Sequence, residues 1–410
     1  METNSDEGIP VTILSGSLGA GKTTLLNHLL SNAGDRTLAV LVNDMGTVNV
    51  DADLVAEGSE LDIDDGVAEL SNGCICCELQ DDLETAVVRL ARDRSFDHLI
   101  VESSGISEPA PVARLFTTES RVAALYDVDT LVTVLDTPAF LEAFAGEGTP
   151  QRRGSEDDRP LSDLLVEQVE VSNVVLLNKA DLCTDAQLEE AAELVNALQP
   201  DAETIRTEFA AVDPDRLLGA GLFDPSRVND LPGWKRALES ADDDHEHEDH
   251  GDGHDDDSHH DHRHPDEVYG VTSFVYRRRR PFHPERFAAF LEDLPPVIVR
   301  AKGTAWIADN DMRVAIAQAG PSIRATAQGP WIASLPEIER DMYRSNRRDL
   351  AWHDEHGDRR TELVFIGTEY DESALRAALE DALVTDKEWA AALEGPFPDE
   401  QGDEIVVREP

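Results

Sequence analysis

Gly16-Ser-Leu-Gly19-Ala-Gly21-Lys22-Thr23-Thr24 is the densest concentration of chemistry in the chain. Closely spaced glycines let consecutive backbone N–H groups wrap an anion, and a helix opening at the lysine adds the positive end of its dipole. In that arrangement Gly16, Gly19, Gly21 and Thr24 belong to a phosphate cradle. Lys22 reaches the β- and γ-phosphates, and the Thr23 hydroxyl holds Mg²⁺. Far downstream, Asn178-Lys179-Ala-Asp181 follows an apolar run ending at Leu177. A carboxylate at Asp181 can accept both the N1 and N2 hydrogens of guanine, a pair that adenine does not offer. Asn178 and the stem of Lys179 complete the base pocket, so the nucleotide expected is GTP. Glu102-Ser-Ser-Gly105 ends another apolar run. There a carboxylate can hold a Mg²⁺-bound water, which places Glu102 beside Lys22 and Thr23 as a catalytic candidate. Gly105 lets the backbone approach the γ-phosphate and change conformation on hydrolysis. The last group is Cys74-Ile-Cys76-Cys77, three of the chain's four cysteines. Three thiolates from one turn fill three tetrahedral positions around a soft ion such as Zn²⁺ or Cu(I) and leave the fourth open for exchange. Cys183 stands alone and is read as a packing residue.

Residues as far apart as 16 and 181 share a site only in a fold that returns its strands to one edge. The apolar runs Val11–Ser15, Thr37–Val42, His98–Val101, Thr130–Leu135 and Asn173–Leu177 are hydrophobic on both sides, as strands covered by helices on both faces are. Helical spacing over Lys22–Ala33 and Ala186–Leu198 supplies the crossovers. The fold class expected is α/β, a P-loop NTPase parallel sheet with helices on both faces, followed by a smaller α+β C-terminal domain. Residues 1–8 read as a disordered N-terminus and 9–232 as the nucleotide domain. An acidic, His-rich linker follows over 233–267, then the α+β domain over 268–396 and an acidic tail over 397–410.

The 410 residues carry 35 Lys and Arg against 85 Asp and Glu, a formal charge of −50. Such an excess repels phosphate backbones, so no nucleic-acid partner is expected. Only Arg277–Arg280 form a basic run, and its position on a strand suits pairing with the chain's own carboxylates. No apolar stretch approaches the ~18 residues of a membrane span. The first seven residues are acidic and lack the apolar core of a secretory signal. Clustered thiols of this kind belong to a reducing compartment, and a cytoplasmic location is expected.

Together these motifs resemble the CobW/nitrile-hydratase-activator family of P-loop GTPases, relatives of the urease and hydrogenase nickel-insertion GTPases that include zinc chaperones. The family's P-loop matches at Gly16–Thr24, its Cys-x-Cys-Cys at Cys74–Cys77, its Glu-x-Ser-Gly at Glu102–Gly105 and its Asn-Lys-x-Asp at Asn178–Asp181. The C-terminal domain resembles the family's own through Tyr276–His283, Arg300–Gly303, and Gly357–Arg360 with Leu363–Gly367. Where the family has Asn-Glu-Phe-Gly, this chain has Asn43-Asp44-Met45-Gly46, one methylene shorter at the acid. Asp44 is therefore either a metal ligand or a turn residue, while Asp51 matches the family's downstream aspartate. The resemblance implies a slow GTPase using Mg²⁺ that binds Zn²⁺, or Co²⁺, at the cysteines and delivers it to a client metalloprotein. It leaves a homo-oligomer open. Two other uses are compatible with the same motifs: a cobalt-linked factor for cobalamin synthesis or activator of a nitrile-hydratase-type enzyme, and a metal buffer. The buffer would rest on eight histidines between 245 and 264, a solvated spacer whose imidazoles also gather divalent metal.

Five lysines beside thirty arginines, under so many carboxylates, resemble the composition of proteins from salt-loving archaea. At 1 M salt the screening length is about 3 Å and self-repulsion is largely removed. The thermal unfolding midpoint should therefore rise by at least about 10 °C between 0.1 and 2 M KCl, measured by circular dichroism; a midpoint indifferent to salt would contradict this reading.

Overall fold

The computed structural model describes residues 8–44, 67–71, 84, 87–92, 95–105, 109–117, 121–144, 161–224, 271–346, 352–368, 370–389 and 392–409. The chain divides into two units, Met1–Glu142 with Leu164–Pro232, and Ala143–Asp163 with Gly233–Pro410. The helices of the chain include α1 (Lys22–Ser31), α2 (Pro109–Thr117), α3 (Thr137–Phe144), α4 (Leu161–Glu170), α5 (Asp185–Leu198), α6 (Pro284–Glu292), α7 (Glu337–Asn346) and α8 (Glu372–Asp381). Among the described residues no helix is long and apolar enough to cross a membrane.

The first unit is built on β1 (Ile9–Ser15), β2 (Leu38–Asp44), β3 (Val67–Ser71), β4 (His98–Glu102), β5 (Tyr126–Asp136), β6 (Val174–Asn178) and β7 (Glu203–Arg206). They lie in the order β3-β2-β4-β1-β5-β6-β7, and every neighbouring pair is parallel. Alternate residues of one strand serve different cores. Val40 and Val42 of β2, Leu14 of β1 and Ile100 of β4 pack with Leu25, Leu26 and Leu29 of α1. Ala39, Leu41, Ile13, Leu99 and Val101 pack instead with Val112, Ala113 and Phe116 of α2. Both faces are thus covered, as the continuous apolar runs predict. Each fully buried leucine of α1 contributes about 1.5–3 kcal/mol, and Leu26→Ala would cost about 2–5 kcal/mol. Two short strands, β3 and β7, lie outside the runs that the sequence marks.

Strand ends hand over directly to helices on the parallel edge. α1 starts after Gly21, whose φ is 110°. Gly21 brings no capping side chain and the first turn no carboxylate, so the leading N–H groups and the positive dipole end face any bound anion. α5 is closed by a capping box in which Thr184 and Gln187 satisfy each other's backbone N–H.

The second unit holds a six-stranded sheet of β8 (Val271–Arg278), β9 (Ile298–Ala305), β10 (Met312–Ala319), β11 (Ser322–Pro330), β12 (Thr361–Thr368) and β13 (Glu404–Arg408). The order is β13-β11-β10-β9-β12-β8 and the pairing antiparallel. Phe287 and Leu291 of α6 with Leu375 and Leu379 of α8 cover Phe274, Ala301, Ile316 and Phe365 of the sheet. Residues 397–410, read from composition as an acidic tail, contain β13, because Ile405, Val406 and Val407 interrupt the charges, with Ile405 and Val406 pairing along β11. The arginine run is consumed locally. Arg277 pairs with Glu362 at 3.3 Å, Arg278 with Glu380 at 2.5 Å and Arg280 with Asp386 at 2.5 Å. Arg279 donates to the Gly357 carbonyl at 3.3 Å.

One buried polar chain crosses the first sheet. The Thr12 hydroxyl donates to the Leu217 carbonyl at 2.8 Å, which leaves its oxygen to accept from His98 Nε2 at 2.8 Å. Burial lowers the His98 pKa to about 4, the Asp129 carboxylate opposing and Arg36 reinforcing the shift. A lowered histidine pKa contributes stability above the unfolded value of 6.5 that is lost as pH falls toward 4. The loss should reach about 3 kcal/mol. Urea unfolding at pH 7 and pH 4.5 should show His98→Gln losing less stability over that interval than the wild type; equal losses would contradict a neutral buried His98.

Candidate nucleotide site

β1 and β4 are direct neighbours, with Leu14 opposite Glu102. The Gly16–Thr24 loop and the Glu102–Gly105 segment therefore leave adjacent strand tips. Ser103 fastens the second to the first, its backbone N–H and its hydroxyl both donating to the Leu14 carbonyl at 2.9 Å. Glu102 is 2% exposed. Gly105 sits so close over the loop that a Cβ there would stand 2.9 Å from the Leu18 nitrogen and 3.0 Å from Lys22 Nζ. The backbone at Gly105 thus lies directly against the phosphate loop.

Gly16, Gly19 and Gly21 all hold positive φ, 143°, 78° and 110°, in the region that favours glycine. Lys22 is buried, and its ammonium donates to the Gly16 carbonyl at 2.9 Å and the Ser17 carbonyl at 3.2 Å. The cation is thereby held inside the loop it would share with a phosphate. Thr23 is half-buried and Thr24 exposed, both in the first turn of α1. The Thr23 hydroxyl and the Glu102 carboxylate are hard oxygen donors, the set that Mg²⁺ takes alongside phosphate oxygens.

The base motif leaves β6. Asn178, placed by its sequence context in the base pocket, has its carboxamide bonded to three partners of the chain itself. Its Nδ2 donates to the Ala20 carbonyl at 2.8 Å, while its Oδ1 accepts from the Ala210 N–H at 2.8 Å and the Thr207 hydroxyl at 3.2 Å. A Cβ at position 21 would stand 2.4 Å from that Nδ2, so glycine there is required by the amide as well as by φ. Lys179 takes a left-handed φ of 59°, and its ammonium pairs with Asp136 at the end of β5, 2.5 Å away. Asp181 lies exposed in the turn Ala180–Leu182. Cys183 is a free thiol whose pKa is raised by burial and by the carboxylates of Asp136 and Asp181, which suits an inert packing residue. Asp136, Thr207 and Ala210 were not marked as site residues by sequence. Asp136 carries a usable signal, an acid ending an apolar strand as Glu102 does; Thr207 and Ala210 carry none.

Asp44 closes β2 opposite Ser71 of β3. Cys74, Cys76 and Cys77, together with Asp51, lie outside the described residues, as does the histidine tract. The cysteines follow β3 in the chain, Cys74 three residues beyond Ser71.

Residues 10–206 match the model of the CobW/HypB/UreG nucleotide-binding domain, and residues 271–383 match that of the cobalamin synthesis protein CobW C-terminal domain. Among known proteins, zinc-regulated GTPase metalloprotein activator 1 of Dictyostelium discoideum is 36% identical over 409 residues, spanning 93% of this chain and 81% of that protein. The zinc chaperone CobW of a Sinorhizobium species is 31% identical, over 90% of this chain and 96% of its own. The solved structure of Zn(II)-bound YjiA GTPase from Escherichia coli is 21% identical, covers 92% of this chain and 99% of its own, and superposes with a TM-score of 0.38.

The Asn178 amide gives the site its own test. Asn178→Ala leaves the Ala20 carbonyl and the Ala210 N–H without this partner and should destabilise the first unit by about 2–4 kcal/mol, read by urea unfolding. Nucleotide affinity should fall with it. A variant of unchanged stability would show that the three bonds are not needed to hold the loops.

Proposed function

The chain belongs to the CobW/HypB/UreG family, and we propose that it hydrolyses GTP to load or deliver a transition metal, zinc foremost, to a client metalloprotein. The observation that carries this is the strand order. In β3-β2-β4-β1 all four strands run parallel, so the end of β3 that leads to Cys74 shares an edge with the phosphate loop. Three strand spacings, about 14 Å, separate the two tips. The relatives' names, with zinc in each, favour zinc as the cargo over cobalt.

In this reading the loop N–H groups and Lys22 bind and orient the β- and γ-phosphates of GTP, and Asp181 selects guanine. Bound Mg²⁺ would supply charge neutralisation at the phosphate oxygens, with Thr23 and Glu102 as its protein side. Glu102, buried at its strand tip, is the carboxylate to hold a Mg²⁺-bound water, and Gly105 the backbone that meets the γ-phosphate. The thiolates of Cys74, Cys76 and Cys77 take the cargo, with Asp44 as a further candidate ligand. Changes at Asn43–Asp51 and Glu102–Pro109 between nucleotide states then alter metal affinity, which requires the two states to bind metal with different free energy. Open thiolates of this kind call for a reducing compartment, hence the cytoplasm.

The test is steady-state GTP hydrolysis in molar KCl across a titration of buffered free Zn²⁺. The wild-type rate should shift at low free metal. With Cys74, Cys76 and Cys77 all replaced by Ser, the shift should vanish and zinc affinity fall at least about 100-fold, while GTP affinity stays within about threefold. Unchanged zinc affinity in the triple variant would overturn the assignment of the metal site.

A further inference from the structure

Phe209 is 74% exposed and holds a φ of 51°, followed by Ala210 at 54°. A left-handed backbone at a bulky residue is an outlier, and two in succession mark a conformation imposed by its surroundings. Those surroundings account for Ala210, whose N–H is turned inward to Asn178 Oδ1. They do not account for an aromatic ring kept out of the core at this point.

The ring's loop is bonded at Thr207 and Ala210 to the base motif and the strand that leads to it. The Thr207 N–H donates to the Leu177 carbonyl at 2.9 Å, and the Ala180 N–H donates to the Thr207 carbonyl at 3.1 Å. On the far side, Lys179 is drawn to Asp136. Because the sheet runs β5-β6-β7, Lys179 leans toward the β5 side while Phe209 stands on the β7 side. The exposed Asp181 lies in the turn that leaves the strand between them. An aliphatic stem on one flank, an aromatic ring on the other and a carboxylate in the middle match a flat purine: two faces to stack on and an edge to read.

We infer that Phe209 is a wall of the guanine site, on which the base of GTP or GDP stacks. The inference rests on the guanine reading of Asp181 proposed above, but it makes a separate demand. Stacking on a π-face is tolerant of base identity, so Phe209 sets affinity for the purine and Asp181 sets its choice.

The experiment uses the full chain in molar KCl, with displacement of a fluorescent guanine nucleotide by GTP, GDP and XTP. Phe209→Ala should weaken GTP and GDP alike, by about 5- to 150-fold, and raise the KM for GTP hydrolysis by a similar factor. Phe209→Trp should restore affinity to within about threefold, which a merely structural role in the loop would not predict for so large a ring. Asp181→Asn should exchange GTP preference for XTP, because xanthine presents an acceptor where guanine has its amino group. Unchanged GTP affinity in Phe209→Ala, or a Trp variant as weak as the Ala variant, overturns the inference. If Asp181→Asn switches to XTP while Phe209→Ala binds as the wild type, the wall alone fails. If Asp181→Asn does not switch, the guanine reading fails and Phe209→Ala still decides whether the ring carries a base.

Discussion

One carboxamide holds the nucleotide edge together. Asn178 is 2% exposed, and its side chain bonds the loop after β1 at Ala20 and the loop after β7 at Thr207 and Ala210. Its own backbone carbonyl accepts from the Thr137 hydroxyl at 2.7 Å, at the end of β5. Four strand ends are thus fastened at one residue. In a buried, low-dielectric position each of these bonds is stronger than in water and costlier to break. This cross-brace fixes the spacing between phosphate loop and base loop, so a ligand with a triphosphate at one end and a base at the other meets a gap of set length. It also explains a demand on Gly21 that the phosphate alone does not make, since a side chain there would collide with the amide nitrogen.

The brace works because everything it joins arrives at the same edge. A sheet whose residues alternate between two helix-covered cores has no free face for chemistry, and its side edges are short strands. What remains is the row of strand tips, where backbone N–H groups and helix dipoles are unspent. The acids Glu102 and Asp136 stand at two of those tips, one on each side of β1. The first is buried beside the phosphate loop and the second anchors Lys179. The same kind of residue, an acid ending an apolar strand, takes two roles according to which neighbour its strand has.

Much of this was legible in the sequence, for reasons that can be named. The phosphate loop is a backbone motif, written by glycines that must hold positive φ. The central strands are buried on both sides and read as unbroken apolar runs. β3 and β7 were not legible, because edge strands need apolar residues on one side only; β7 offers just Ile205 among Glu203, Thr204 and Arg206. β10 and β11 were missed because alanine, threonine and glutamine fill their non-core positions and blur the alternation. Within the site, Glu102 and the phosphate loop leave adjacent strand tips and Gly105 lies against Lys22. Asn178 carries a familiar motif, yet its role as a brace depends on Ala20 and Ala210, distant residues that contribute only backbone atoms. No pattern of residue types encodes such partners. Phe209 is hidden for the same reason, since an aromatic after a weak strand looks like any other until its exposure is known.

Under the proposed function, the ladder also says where nucleotide and metal can communicate. Val42 is opposite Glu102 on one side and Glu69 on the other, while Glu102 is opposite Leu14. These registers lock β3, β2, β4 and β1 into one hydrogen-bonded plate as far as their tips. Relative movement within the plate would break ladder bonds on both sides of a strand, so a nucleotide-driven change has to begin beyond it. The segments that begin there follow Ser15, Asp44, Ser71 and Glu102, four neighbours in a row. Between the tip that leads to Gly105 and the tip at Ser71 stands one strand end, Asp44 of β2. That is the position where this chain has aspartate in place of its family's glutamate. Under that proposal, a side chain shorter by one methylene at Asp44, which ends the strand between β3 and β4, is where the strength of coupling in this protein would be set.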